Sequence, residues 1–228
     1  MAVGDDLDAL KKRLEERFGD LRIHELKPTP VPGVYEMVFG TRIAFVTADG
    51  NYMITGNLID LENRRNLTNE HRAQLISRAV NAMGDSRMIV FAPKQTRRTV
   101  TVFTDVDCPY CAKFHQDVPV LNRAGVKVRY LLFPRTGKAS ESYKRAVAVW
   151  CAKDRNKAIG VAKSGGKLEM RTCTNPVDDH MVLGEDIGVT GTPSMILDDG
   201  RMVPGYVPAR ELLALLGLKD GPEAATAQ

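Results

Sequence analysis

Thr99-Val100-Thr101-Val102-Phe103-Thr104, followed three residues later by Cys108-Pro109-Tyr110-Cys111, is the stretch that decides how this chain is read. The β-branched run has the character of a buried strand, and Pro109 suits the first position of a helix. Two thiols three positions apart meet across one helical turn, close enough to make and break a disulfide with little backbone motion. At a helix N-terminus the unpaired amides and the dipole favour the Cys108 thiolate and lower its pKa. The thiolate is the nucleophile of disulfide exchange, so Cys108 and Cys111 read as a redox dithiol. A zinc site is the alternative, and it needs two further ligands. Cys151 and Cys173 stand alone, and no second Cys-x-x-Cys or His-x-x-x-His occurs. His115, four residues after Cys111, keeps Cys/His ligation open. Redox chemistry is the reading adopted, with no metal and no cofactor expected.

About eighty residues on, Val189-Thr190-Gly191-Thr192-Pro193 leads into the apolar run Ser194-Met195-Ile196-Leu197. A thioredoxin-like fold places such a turn beside its dithiol, with the proline cis and the preceding residue presenting backbone to substrate. X-Pro bonds are cis in only about 5% of cases, so an isolated Thr-Pro would read as trans. With the dithiol upstream, cis is expected at Thr192-Pro193.

Four cysteines allow three pairings, and only 108–111 with 151–173 leaves the reactive pair intact. A Cys151–Cys173 bridge would contribute on the order of 3 kcal/mol by the chain-entropy argument and requires an oxidising compartment. Two separate buried thiols are the alternative.

The chain has 228 residues, 43% apolar and 26% charged, enough for one large or two small domains. A net charge of +4, dispersed along the sequence, gives no argument for nucleic acid. No apolar stretch approaches the length of a membrane span. Met1-Ala2-Val3-Gly4-Asp5-Asp6 lacks the apolar core of a signal peptide. This fits either a cytosolic protein or a mature exported form bearing an added methionine, and the expected second disulfide leans towards export.

Leu7, Leu10, Leu14 and Phe18 mark a short amphipathic helix, with Asp5 and Asp6 at its start. Pro28, Pro30 and Pro32 then break regular structure, and strands are expected at 34–38, 41–46 and 51–55, the last two joined through Ala48-Asp49-Gly50. Such a small sheet with open edges would be stabilised by pairing with a second copy. A polar helix follows, capped by Asn66 or Thr68, striped with Leu75, Ile76, Ala79, Val80 and Met83, and stopped at Gly84. Net charge is −2 over residues 1–66 and +6 over 67–228, modest support for a boundary.

Beyond it, strands at 88–92, 99–104 and 126–133 surround a helix at 109–121 that Pro119 should kink or end. Residues 140–185 are helical in character and carry both Cys151 and Cys173. Asp198-Asp199-Gly200 joins strands at 194–197 and 201–203, a helix spans 208–216, and the tail after Asp220 reads as disordered. The fold class is an α+β N-terminal domain (1–66), a linker helix (67–87) and an α/β thioredoxin-like domain (88–228) with a helical insertion over about 139–187. His115 and Lys113 read as solvated helix residues, and His24, His71 and His180 have no partner identifiable from sequence. Gly160 to Lys167 has the outline of a phosphate loop, but Gly166 stands where that motif needs lysine.

Several separate motifs now converge. Phe103-Thr104-Asp105, Tyr110 within the dithiol, Val128-Arg129-Tyr130-Leu131, Phe133-Pro134-Arg135, Trp150-Cys151-Ala152-Lys153-Asp154 and Gly191-Thr192-Pro193 together resemble the DsbC family, the bacterial periplasmic disulfide isomerases. The resemblance covers nearly the whole chain. It implies a V-shaped homodimer joined through the N-terminal domains, with Cys108 attacking and Cys111 resolving. It also implies that Pro109, Tyr110, Thr192 and Pro193 line the substrate-facing loops and that Cys151–Cys173 is a structural disulfide. The partners implied are misoxidised or unfolded proteins and a DsbD-like membrane reductant. The family commonly has Gly-Tyr between its cysteines, whereas Pro109-Tyr110 also occurs in the related DsbG proteins and in glutaredoxins. A DsbG-like reductase of oxidised single cysteines with chaperone activity is therefore the second reading, and a non-enzymatic holdase the third.

Overall fold

Residues 3–19 and 21–218 are described by the computed structural model, and they fall into two units, Met1–Ile76 and Ser77–Gln228. The disordered tail expected after Asp220 lies outside the described residues, as do the side chains of residues 3–5.

In the first unit α1 (Val3–Phe18) buries Leu10 and Leu14 against Ile23, Met37, Ala44 and Val46. The antiparallel sheet runs in the order β1 (Glu25–Pro28), β2 (Val34–Phe39), β3 (Arg42–Thr47), β4 (Met53–Ile54). Side chains alternate across it, so Met37, Ala44 and Val46 face α1 while Val38, Ile43 and Phe45 form a second cluster. Three differences from expectation stand out. Strand β1 was not expected, because the prolines read as breakers. Pro28 nevertheless pairs with Tyr35 on the outermost strand, where a missing amide hydrogen leaves no neighbour unbonded. The strand expected at 51–55 contracts to β4, and a small hairpin follows, β5 (Ile59–Asp60) with β6 (Arg65–Asn66).

Helix α2 (Leu67–Met83) begins in the first unit and ends in the second. Asn66 caps it, its Oδ1 accepting from the Asn69 amide at 2.9 Å, while the Thr68 hydroxyl accepts from Leu58 instead. His71 on α2 has partners that sequence did not disclose. Its Nδ1 lies 2.5 Å from the buried Glu36 carboxylate, which also receives Lys27 Nζ at 3.1 Å.

The second unit is built on a five-stranded sheet. Its strands are β7 (Ile89–Phe91), β8 (Arg98–Thr104), β9 (Val126–Leu132), β10 (Ser194–Leu197) and β11 (Met202–Pro204). The order is β11-β10-β8-β9-β7, with β8 and β9 parallel and the other pairings antiparallel. Val100, Val102, Phe103, Val128, Tyr130 and Leu131 are fully buried, as central strands covered on both faces must be.

Helix α3 (Pro109–Arg123) joins β8 to β9. Pro119 does not end it. The helix continues four residues further because Phe114, Val118 and Leu121 anchor its buried face, which outweighs one missing hydrogen bond. Nor is 140–185 continuously helical: α4 (Glu141–Trp150), α5 (Arg155–Lys163) and α6 (Val177–Asp186) leave 164–176 without helix. Gly165, at φ 76°, stops α5, so Cys173 sits in the irregular stretch while Cys151 ends α4. On α6, Gly184 permits close approach, since a Cβ there would fall 2.5 Å from Phe133 Cε2. Helix α7 (Ala209–Leu215) follows β11, and no described helix is long and apolar enough to cross a membrane.

Candidate functional site: the dithiol at the end of the central strand

Strand β8 runs out at Thr104, and the segment from Asp105 to Asp107 turns the chain into α3. Asp105, 2% exposed, fixes that turn. Its Oδ1 accepts from the Asp107 amide at 2.9 Å and the Ser142 hydroxyl at 2.6 Å, and its Oδ2 from the Arg135 amide at 3.0 Å. The Arg135 guanidinium adds an ion pair at 3.2 Å. Burial would raise the Asp105 pKa, but the Ser142 hydroxyl, the Asp107 and Arg135 amides and the guanidinium hold it below the usual carboxylate value. Arg145 pairs with Asp107, tying the same turn to α4.

Cys108 is the N-cap of α3, with Pro109 in its first turn, and both cysteines are free thiols. The Cys108 thiol donates to the Thr192 carbonyl at 3.3 Å. Burial pushes its pKa up. The Cys111 amide, the Thr192 side chain, the Cys111 thiol and the Tyr110 amide outweigh burial and hold it below the ordinary thiol value. Cys111 is fully buried, and that burial raises its pKa, although positive charge on Lys163 and the Thr104 hydroxyl work the other way. The two sulfurs are therefore unlike: Cys108 is shifted towards its thiolate and Cys111 away from it.

The Thr192–Pro193 peptide is cis and lies across the dithiol. The loop is held by the Ser194 hydroxyl donating to Gly191 O at 2.7 Å and by the Gly205 amide donating to Pro193 O at 2.8 Å. The Thr192 hydroxyl is buried, has no hydrogen-bond partner within geometric limits among the described residues, and lies beside both sulfurs, where it favours their thiolates. Tyr110, 63% exposed, stands at the mouth of the site.

His115 is not solvated as expected. It is half-buried, its Nδ1 3.1 Å from the Tyr130 hydroxyl, and burial above all, with positive charge on Lys163 acting the same way, lowers its pKa to about 4. Lys113 is exposed, its Nζ 4.7 Å from the centre of the Tyr206 ring. Away from the dithiol, Cys151 and Cys173 form a disulfide with their Cα atoms 5.7 Å apart. His180 is buried nearby, edge-on to Trp150, its Nδ1 accepting from the Leu132 amide at 3.1 Å and its Nε2 donating to Arg87 O at 2.7 Å.

Sequence reasoning passed over Lys163, whose Nζ lies behind Cys111. The available signal was its place on the apolar stripe Ala158, Ile159, Ala162 of α5, where a lysine is out of character.

Residues 1–69 match the family described as disulfide bond isomerase protein N-terminal domain, and residues 85–219 the thioredoxin-like domain. The chain is 36% identical over 211 residues to the thiol:disulfide interchange protein DsbC of Dickeya dadantii, spanning 92% of this chain and 86% of that one. It is 35% identical over 198 residues to DsbC of Escherichia coli K12, spanning 86% and 82%. Among solved structures, a disulfide interchange protein from Neisseria gonorrhoeae superposes with a TM-score of 0.51 at 28% identity, covering 59% of this chain and 96% of that one.

Proposed function

Because the chain belongs to the DsbC family of thiol:disulfide interchange proteins, we propose that Cys108 is the thiol through which it rearranges wrongly paired disulfides. The single observation that carries this assignment is the N-cap position of Cys108, where amides of the first turn favour its thiolate. The Cys108 thiolate attacks a substrate disulfide, forming a mixed disulfide and freeing a substrate thiolate. That thiolate attacks another substrate disulfide, and the thiolate freed there attacks the mixed disulfide and releases Cys108; alternatively Cys111 attacks the Cys108 sulfur, displaces the substrate sulfur bonded to it and leaves the substrate reduced. Direct isomerisation needs Cys108 alone; reduction needs both. The backbone at Thr192-Pro193, with Pro109 and Tyr110, would meet the extended substrate segment, and Cys151–Cys173 serves as the structural disulfide.

The family's reductive chemistry calls for a donor that returns the dithiol to the thiol form, a DsbD-like membrane reductant in the periplasm. Homodimerisation through residues 1–66, with 67–87 as linker and 88–228 as catalytic domain carrying an insertion over about 139–187, completes the reading. Support comes from the edge strand β4 and the hairpin after it, where Met53, Ile54, Ile59 and Leu61 are exposed apolar residues. The relatives matched over most of the chain are DsbC proteins, which favours isomerase chemistry over a reductase of oxidised single cysteines.

Refolding of scrambled ribonuclease tests it. Wild type should restore activity, Cys108→Ala should abolish it, and Cys111→Ala should retain part of it by direct exchange. Failure of folded, reduced wild type to reactivate the substrate sinks the isomerase reading.

A further inference from the structure

Lys163 retains 8% of its surface exposure, yet no carboxylate among the described residues lies within ion-pair distance of it. Its Nζ donates to Thr104 Oγ1 at 2.7 Å and to Asp105 O at 3.3 Å, and lies 5.6 Å from the centre of the Tyr130 ring. The Thr104 hydroxyl also lies beside the Cys111 sulfur, where it favours the thiolate. The Asp105 carboxylate cannot serve the amine, since both its oxygens are taken by Ser142, Arg135 and the Asp107 amide. A buried, unpaired ammonium is expensive, and a lysine can escape that cost by shedding its proton. Burial indeed pushes the Lys163 pKa down, although negative charge on Cys111, Cys108, Asp105 or Asp107 works the other way.

We propose that Lys163 accepts the Cys111 proton through the Thr104 hydroxyl in the step that resolves the mixed disulfide. The inference rests on the reading that Cys108 attacks and Cys111 resolves. With the amine neutral, its lone pair accepts from the Thr104 hydroxyl across the same 2.7 Å contact; the Cys111 thiol passes its proton to the Thr104 oxygen while the Thr104 hydroxyl proton moves to the amine. The Cys111 thiolate then attacks the Cys108 sulfur. The Cys108–Cys111 bond forms, the bond from Cys108 to the substrate sulfur breaks, and the departing substrate thiolate takes a proton from solvent. The protein dithiol is oxidised and the substrate sulfurs are reduced, with no other redox partner in this step. Lys163 is thus a positioning residue for a proton.

Other groups facing this interior are poorly suited to the task. His115 on α3, with its pKa lowered to about 4, is too weak a base. Burial raises the Tyr130 pKa well above its usual value, so it keeps its proton. Arg135 and Arg145 are engaged in ion pairs with Asp105 and Asp107. Cys108 is itself bound in the mixed disulfide at that moment.

The test uses the reduced full chain mixed with a limiting aromatic disulfide whose two halves absorb on release. The first burst reports attack by Cys108 and the second reports resolution by Cys111. Lys163→Met should leave the first burst nearly unchanged and slow the second by about 10²-fold near neutral pH, the usual scale of general base assistance. The deficit should vanish at alkaline pH, where Cys111 ionises unaided. Thr104→Val, which cuts the relay and keeps the lysine, should give the same pH-dependent deficit and carries the test if Lys163→Met does not fold. A second burst at the wild-type rate, or one slowed by the same factor at every pH, overturns the proposal, the latter being the mark of packing alone. A first burst that survives in Cys108→Ser would overturn the assignment of the attacking thiol instead, so the two failures are distinct.

Discussion

The molecule holds two pairs of cysteines whose surroundings have made opposite things of them. Cys108 and Cys111 open a helix, facing unpaired amides, a cis-proline loop and a buried lysine, and their thiols are free. Cys151 and Cys173 are 22 positions apart, one at the end of α4 and the other in the irregular stretch before α6, and they are bonded. A helix beginning offers amide hydrogens that favour negative charge on sulfur, whereas a helix end offers carbonyls. Spacing adds to the difference: a bond across one turn closes almost no loop, whereas one across 22 residues removes real freedom from the unfolded chain. Reactivity and stapling are thus properties of where the sulfurs stand.

The strongest way to break this contrast is to exchange the roles by mutation. Cys108→Ser should abolish isomerisation of scrambled ribonuclease, while the double variant Cys151→Ala/Cys173→Ala should keep its activity per folded molecule; loss in the second with retention in the first would reverse the assignment. The same double variant should lose on the order of 3 kcal/mol in denaturant unfolding.

A third effect sharpens the stapled side. Burial, with the Arg87 charge, lowers the His180 pKa from 6.5 to about 4, against its hydrogen bond to Arg87 O and the Asp179 charge. Between those values the unfolded chain binds a proton that the folded one refuses, so stability falls as pH falls. Going from pH 7 to pH 5 should cost about 2 kcal/mol from this residue. His180→Asn should flatten that part of the pH–stability curve, and an unchanged slope would remove His180 as its source. The smallest effect concerns the two sulfurs of the reactive pair. In the reduced protein at neutral pH, iodoacetamide should modify Cys108 about tenfold faster than Cys111, as peptide mapping would show. Equal rates would mean that burial and the helix terminus do not separate the pair.

The strand, dithiol and helix from Thr99 onward were legible because three local signals agree there: a β-branched run, a proline fit for a helix start, and cysteines one turn apart. Strand β1 was not legible, since Glu25-Leu26-Lys27-Pro28 is short and proline-flanked, and only its edge position makes Pro28 harmless. The hairpin of β5 and β6 escaped for a related reason: Arg64, not glycine, takes the positive φ of 53°. Pro119 misled in the other direction, because tertiary anchoring by Phe114 and Leu121 overrides a local breaker. At the site, Lys163 follows Cys111 by more than fifty positions, and its approach to Thr104 is created by the packing of α5. Local pattern reveals what neighbours in sequence do together; the relay behind Cys111 is a meeting of strangers.

The bond between Cys151 and Cys173 spans the whole of 164–172, a stretch outside any helix and with Gly165 and Gly166 at its start. A protease that cut there would sever the polypeptide without parting the fragments. The nicked protein would run as one band on a denaturing gel and as two only after reduction, and its two pieces would still leave the unfolded state together.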